Sequence, residues 1–258
     1  NESDTFKIRE LDILIPNAMS NLVAEISNIW GRVDIIINNA GVCYRSVIEQ
    51  MDDESELIQM KTNYLGPMTL IRNVLPIMRE QRSGKIINVS SVAGMLAMPT
   101  MGSYSASKHA LEGATESLWY EAKPFNIDVH LVQIGFVNSR SFNRVILSQK
   151  ATLSSNLSGP HSQYYYFMSD LIEKLMAMSF STPEILADKI IRLAEVKSVQ
   201  LHVPITVDAI FFRIFKKLLP SSWVNRILYF LLPKSVKKGF QSENVDLKID
   251  ANIENEAA

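Results

Sequence analysis

The stretch V33-D-I-I-I-N-N-A-G41 decides the fold. Ile35, Ile36 and Ile37 follow one another without polar alternation, as expected of a strand covered on both faces. Asn38 to Gly41 then supply the small and polar residues that turn a chain at a strand end. Two more runs share this character, KIINVSS (85–91) and IDVHLVQIG (127–135). KIRELDI (7–13) reads as an earlier strand and VQLHVPI (199–205) as a later one. Helical spacing fills the intervals at 17–30, roughly 55–80 and 103–122. STPEILADKIIRLAEV adds a helix with Thr182 as its N-cap and Pro183 at the first helical position. Strands alternating with helices over short links predict a doubly wound α/β fold: one parallel sheet with helices on both faces, spanning 1–206 as a single domain.

Bulk properties narrow the function. The 258 residues are 47% hydrophobic and 21% charged, a globular composition that can build a large core. A net charge of −1 and a pI near 6.5 give no reason to expect nucleic acid as a partner. The single cysteine, Cys43, excludes an internal disulfide framework and suits a reducing, cytoplasmic setting. His109, His130, His161 and His202 have no metal-ligand spacing; they read as surface or helix residues, and no metal site is expected. NESDTFKIRE has no apolar h-region, so no signal peptide is expected there.

Two regions break the alternation. Residues 139–180 carry few strand signals, several Ser and Asn, and the aromatic run YYYF at 164–167. Such a segment following a strand's carboxyl end predicts a cover over the ligand crevice. In 207–240, Val207, Ile210, Phe211, Ile214, Phe215 and Leu218 keep helical spacing up to Pro220, and WVNRILYFLL resumes it. This tail is basic, with no acidic residue between Ala209 and Gln241. Its charges and Pro220 argue against a membrane span. Paired amphipathic helices with a basic face suit a membrane surface. The simpler expectation is that their apolar faces pack on the domain or on another subunit. The polar, acidic stretch 241–258 has the composition of a disordered terminus.

Three chemical pieces fall at one edge of the predicted sheet: NNAG (38–41), NVSS (88–91) and YSASK (104–108) at the start of a helix. In this order and spacing they resemble the short-chain dehydrogenase/reductase family. The match rests on Asn38-Asn39-Ala40-Gly41, Asn63 within KTNYLG, Ser91 in INVSSVAG, and Tyr104-x-x-x-Lys108. It covers roughly residues 7–206. The resemblance implies a Rossmann-like, NAD(P)-dependent oxidoreductase interconverting an alcohol and a ketone or aldehyde. Tyr104 would be the general acid/base, and Lys108 would tune it and bind the nicotinamide ribose. Ser91 would position the substrate oxygen, and Asn63 would keep a water in a proton relay. Asn39, Ala40 and Gly41 would line the adenosine-ribose side of the cofactor. Asp12 matches an adenine-contacting position, although a strand-end capping carboxylate is the simpler reading. Val137 would contact the carboxamide through its backbone, and Ser139 stands where a threonine is usual. Ile134 occupies a position at which the family usually carries proline.

The residue types suit that chemistry. Reducing a ketone by hydride transfer leaves an alkoxide that needs a proton. A tyrosine has a reference pKa of about 10, and lowering it by ~3 units takes on the order of 4 kcal/mol of preferential phenolate stabilisation. A lysine ammonium four residues on, on the same helical face, is expected to supply positive charge for this. A serine hydroxyl can orient the substrate oxygen without competing for the proton.

The family's spaced glycines before NNAG are absent: no G-x-x-x-G-x-G or G-x-G-x-x-G pattern occurs there. KIRELDI matches the family's third strand, so the chain is expected to be N-terminally incomplete, lacking on the order of 50 residues, about two βαβ units. The cofactor is NAD or NADP, with NADP favoured. The substrate is expected to be a small apolar alcohol or carbonyl compound, and a homo-oligomer is implied by the resemblance. The alternatives are a non-catalytic dinucleotide-sensing or scaffolding protein of the same fold, or an inactive fragment.

Overall fold

Unalternated isoleucine and valine runs place their side chains in two layers at once. The computed structural model, which describes residues 5–15, 17–139, 145–155 and 160–232, aligns four of them in one parallel sheet. The strands are β1 (Ile35–Asn38), β3 (Gly84–Ser91), β4 (Ile127–Ile134) and β6 (His202–Pro204), in the order β1-β3-β4-β6. A second sheet pairs β2 (Tyr44–Arg45) with β5 (Ile146–Leu147), also in parallel. Ile36 faces Ile86, Ile87 faces His130 and Ser91 faces Ile134, so β1, β3 and β4 end near one another at the carboxyl edge.

Helices cover both faces. On one side α1 (Ala18–Trp30), α3 (Gly66–Gln81) and α4 (Gly102–Ala122) pack Val23, Val74, Met78 and Leu118 against Ile36, Ile86 and Val129. On the other, α7 (Pro183–Glu195) packs Leu186 and Leu193 against Ile87 and Val132. Burying such a side chain contributes roughly 1.5–3 kcal/mol. The expected α/β architecture is therefore present. Thr182 caps α7, with its hydroxyl accepting from the Ile185 amide, and Pro183 opens the helix.

Lys85 explains how a charge sits inside a strand. Its ammonium donates to the Leu193, Ala194 and Val196 carbonyls at 2.6–2.8 Å, satisfying the free end of α7.

The single helix expected at 55–80 is α2 (Asp53–Met60), a π-helical turn at Lys61–Leu65, and then α3. The strand expected at 7–13 does not form. Residues 7–12 carry no regular structure, and the Asp12 carboxylate accepts the Leu14 amide to make a turn. Ile8 is exposed, and the segment joins neither of the two described sheets. β1 is consequently an edge strand among the described residues, with Ile35 and Ile37 each over 40% exposed.

The 139–180 region is helical where described: α5 (Gln149–Ser155) and α6 (Ser162–Ala177). The aromatic run lies on α6, where Tyr165 is buried and its hydroxyl bonds Gln50 and the Val47 amide. The tail forms α8 (Val207–Leu218) and α9 (Ser221–Leu231). The expected disordered terminus 241–258, and the tail from 233, lie outside the described residues. His130, expected on the surface or a helix, is fully buried on β4 with Nδ1 against the Gln200 carbonyl at 2.7 Å, and His202 lies on β6. A strand interior accepts an imidazole when a backbone group satisfies it.

Candidate active site

The carboxyl edge of the sheet opens into a cavity of about 630 Å³. β1 delivers the Asn39–Gly41 turn to it, and β3 delivers Ser91. Ser91 then caps a short helical turn by accepting the Ala93 amide at 3.2 Å. Helix α4 starts at Gly102, so Tyr104 and Lys108 stand one turn apart on its first two turns and both line the cavity. Gly135 and Val137, just past β4, close the far side. Cys43, Met98, Met101, Phe136, Ile172 and Met176 supply an apolar wall, the last two from α6, which fulfils the expected cover.

Buried polar chains hold these pieces in register. Asn38 donates to Asn88 Oδ1 at 2.7 Å, Asn88 donates to Thr115 Oγ1 at 2.9 Å, and Thr115 donates to the Leu111 carbonyl. This ladder fixes β1, β3 and α4 at one level. Asn63 projects from the π-helical turn, a deviation often found at functional positions. Its Oδ1 accepts the Val42 amide and its Nδ2 donates to the Val42 carbonyl, both at 2.9 Å. The same Nδ2 donates to Ser107 Oγ at 3.0 Å, and Ser107 donates to the Tyr104 carbonyl at 2.7 Å. Both amide protons of Asn63 are thus committed within the protein. The side chain clamps the 41–43 turn to α4, and its protons are not available to the expected relay water.

Tyr104 is half-buried at the cavity floor, where it and Ser91 line the same wall. Burial pushes its phenol above the ordinary tyrosine value, against the expected lowering, and the Ser91 hydroxyl offsets only part of this. The Lys108 ammonium donates to the Val89 carbonyl at 3.0 Å and lies 6.0 Å from the Tyr104 ring centre. Burial brings Lys108 down to about 8, while the charge of Glu112 one turn below holds it up. Cys43 is pushed up to about 12 by burial, so it is a neutral thiol at pH 7. At neutral pH the site holds a protonated phenol beside a largely protonated ammonium.

Glu112 was not singled out by sequence. Its carboxylate accepts Ser90 Oγ at 2.7 Å and Gln133 Nε2 at 3.0 Å, under the site. Arg45 was missed as well. It is buried in the cavity wall and donates to Thr100 Oγ1 and Ser169 Oγ. A buried cation on a two-residue strand leaves no periodicity to detect, whereas Glu112, four residues past Lys108, was reachable by helical spacing.

The other expected positions divide. Asn39 and Gly41 line the cavity, and Ala40 is exposed on the same turn. A Cβ on Gly41 would lie 3.3 Å from Asn63 Oδ1 and 3.8 Å from Lys108 Nζ, so this turn presses bare backbone against the site. Val137 lines the cavity, and Ser139 is half-buried beyond it. Ile134 ends β4 opposite Ser91, and the following turn is held without proline: Gly135 donates to Thr206 Oγ1 and Phe136 to Asp208 Oδ2. Asp12 lies outside the cavity walls, in the capping role.

Lys108 and the Tyr104–Ser91 pair, with the bare backbone of Gly41 near them, leave room and hydrogen-bonding groups suited to a nicotinamide dinucleotide. A short chain dehydrogenase family model matches residues 1–150. The chain belongs to the short chain dehydrogenase family. It is 32% identical over 225 residues to the uncharacterized oxidoreductase YusZ of Bacillus subtilis, covering 86% of this chain and 79% of that protein. It is 43% identical over 135 residues to a 3-ketodihydrosphingosine reductase of Bacteroides thetaiotaomicron, covering 52% of this chain and 50% of that one, so the match spans half of that relative's length. A solved short-chain dehydrogenase from Streptomyces avermitilis superposes with a TM-score of 0.67 at 26% identity, over 84% of this chain and 79% of that one.

Proposed function

We propose that this chain carries the proton-transfer and nicotinamide-ribose part of an NAD(P)-dependent oxidoreductase acting on an apolar ketone or the corresponding alcohol. The observation that carries the reading is that Ser91, Tyr104 and Lys108 line one cavity at the carboxyl edge of the sheet. A bound nicotinamide dinucleotide, NADP by preference, supplies the hydride.

The chain's own groups do the rest. Ser91 and Tyr104 converge on one point where a carbonyl oxygen accepts from both hydroxyls. Because burial keeps the phenol protonated, Tyr104 is poised to give its proton to the oxygen as negative charge develops there. Lys108, anchored by the Val89 carbonyl, keeps two ammonium protons for ribose hydroxyls and places positive charge near the forming phenolate. Asn63 acts through the 41–43 turn as a positioning residue. The methionine-rich wall excludes water and receives the substrate's apolar body. The name of the Bacteroides relative, a reductase of a long-chain ketone, supports a ketone on an alkyl chain as the substrate class.

The test is to follow NADPH and NADH consumption by the purified protein over ketones of increasing alkyl length. Turnover that rises with chain length supports the reading, and no turnover with any ketone removes it.

A further inference from the structure

A helix with a clear apolar stripe ordinarily turns that stripe to the core. Helix α8 does the reverse. Val207, Ile210, Phe211, Ile214 and Leu218 form one stripe at helical spacing, and all are exposed, Val207 and Leu218 to more than 70%. The opposite side makes the contact with the sheet. Ala209 is fully buried near Val92 and Met95, Arg213 donates to Gln133 Oε1 at 3.2 Å, and Lys216 donates to the Met95 carbonyl at 2.6 Å. Helix α9 repeats the arrangement: Val224 is buried, while Trp223, Tyr229 and Phe230 are exposed, Phe230 to 80%. Of the two packings expected for these apolar faces, on the domain or on another subunit, the first is not what the described residues show.

We propose that the outward faces of α8 and α9 dock on an anionic lipid surface. Exposed apolar stripes on consecutive helices form a patch larger than a soluble surface normally leaves uncovered. What surrounds it selects the occupant. Between Ala209 and Leu232 there is no Asp or Glu, and of the four basic residues Arg213 and Lys216 are turned to the sheet, which leaves the exposed Lys217 and Arg226 beside the apolar faces. A bilayer interface takes apolar side chains below the headgroups, aromatic residues at their level and basic residues against their phosphates. A second copy docking by the same face would set Lys217 and Arg226 against their own counterparts without a compensating carboxylate. Crossing the bilayer is a different matter: no helix among the described residues is long and apolar enough.

The platform is also tied to the cavity. Thr206 and Asp208, at the start of α8, hold the Gly135 and Phe136 amides of the cavity wall. Docking would hold the mouth of the site close to the lipid. The lipid contact itself stands whether or not the site reduces a carbonyl.

Co-sedimentation of the 258-residue chain with phosphatidylcholine vesicles, with and without phosphatidylserine, tests this. Pelleting with the mixed vesicles, reduced by added salt, is expected. The pair Phe211→Ser and Phe230→Ser should weaken partitioning about tenfold or more. The pair Lys217→Glu and Arg226→Glu, which alters exposed side chains only, should weaken it by at least roughly fivefold for each charge and abolish the preference for phosphatidylserine. Absence of pelleting with mixed vesicles overturns the proposal, as does equal pelleting of the parent and both variants. A dimer in light scattering that Phe211→Ser disperses, without vesicle binding by the parent, assigns the face to a second copy and overturns it as well.

Discussion

Lys108 lies one helical turn beyond Tyr104, yet its ammonium donates to the Val89 carbonyl at 3.0 Å and stands 6.0 Å from the Tyr104 ring centre. The lysine thus ties α4 to the end of β3 and serves the cavity as a fixed charge instead of gripping the phenol. Under the proposed function, Tyr104 would carry the proton and Lys108 would supply the field and the ribose contact.

Tyr104→Phe keeps the ring and removes the proton. Turnover of any accepted ketone is expected to fall by roughly 10²–10⁴, the usual worth of a positioned general acid. Dinucleotide affinity, followed by nicotinamide fluorescence, should change little. Retained turnover would remove Tyr104 from the role proposed for it.

Lys108→Met probes the cost of the buried ammonium. The folded-state value of about 8 lies below the ordinary lysine value of 10.5, so the unfolded chain holds this proton more tightly. The resulting destabilisation, of order 3 kcal/mol, is fully present below pH 8 and relieved as pH rises from 8 towards 10.5. The variant should compare best with the parent near pH 7, and its relative stability should decline towards pH 10. Urea midpoints across that range check the slope, which survives whatever constant cost the lost Val89 hydrogen bond adds.

Asn63→Ala strands the Val42 amide and carbonyl and removes the amide donor from Ser107 Oγ, which keeps its bond to the Tyr104 carbonyl. Leaving buried groups unpaired costs about 1–3 kcal/mol each before water re-enters. A loss of roughly 2–4 kcal/mol in urea unfolding is expected. Asn63→Asp should recover only the Val42 amide contact and part of the stability.

Gly135→Ala places a methyl group on the Asp208 carboxylate, which holds the Phe136 amide. The side chain must leave that amide, so a destabilisation of about 1–3 kcal/mol is expected. Since this turn lines the cavity, dinucleotide affinity should weaken in parallel, measurable by calorimetry. Stability lost with affinity intact would separate the turn from the cofactor site.

Much of this was legible in the sequence. The Ile and Val runs at 86–89 and 129–134 sit in a sheet covered on both faces as expected, whereas the run at 35–37 buries only Ile36 and leaves Ile35 and Ile37 exposed. Thr182-Pro183 announced its helix by capping chemistry alone. The spacing of Asn63, Ser91, Tyr104 and Lys108 brought them to a common region. What failed depended on partners that no local pattern encodes. KIRELDI has strand composition but joins neither described sheet, and the Asp12 carboxylate accepts a turn amide instead. Spacing reports the lysine near Tyr104 but not the burial that raises its phenol. Helix α8 has the expected period with the opposite orientation, because hydrophobic spacing defines a stripe without saying which way it faces.

The outer edge of β1 has a consequence for handling the protein. Among the described residues no strand pairs with β1 on that side, and Ile35 and Ile37 are exposed, so an extended segment can add to the sheet there. Such a segment can come from elsewhere in the same protein or from another molecule.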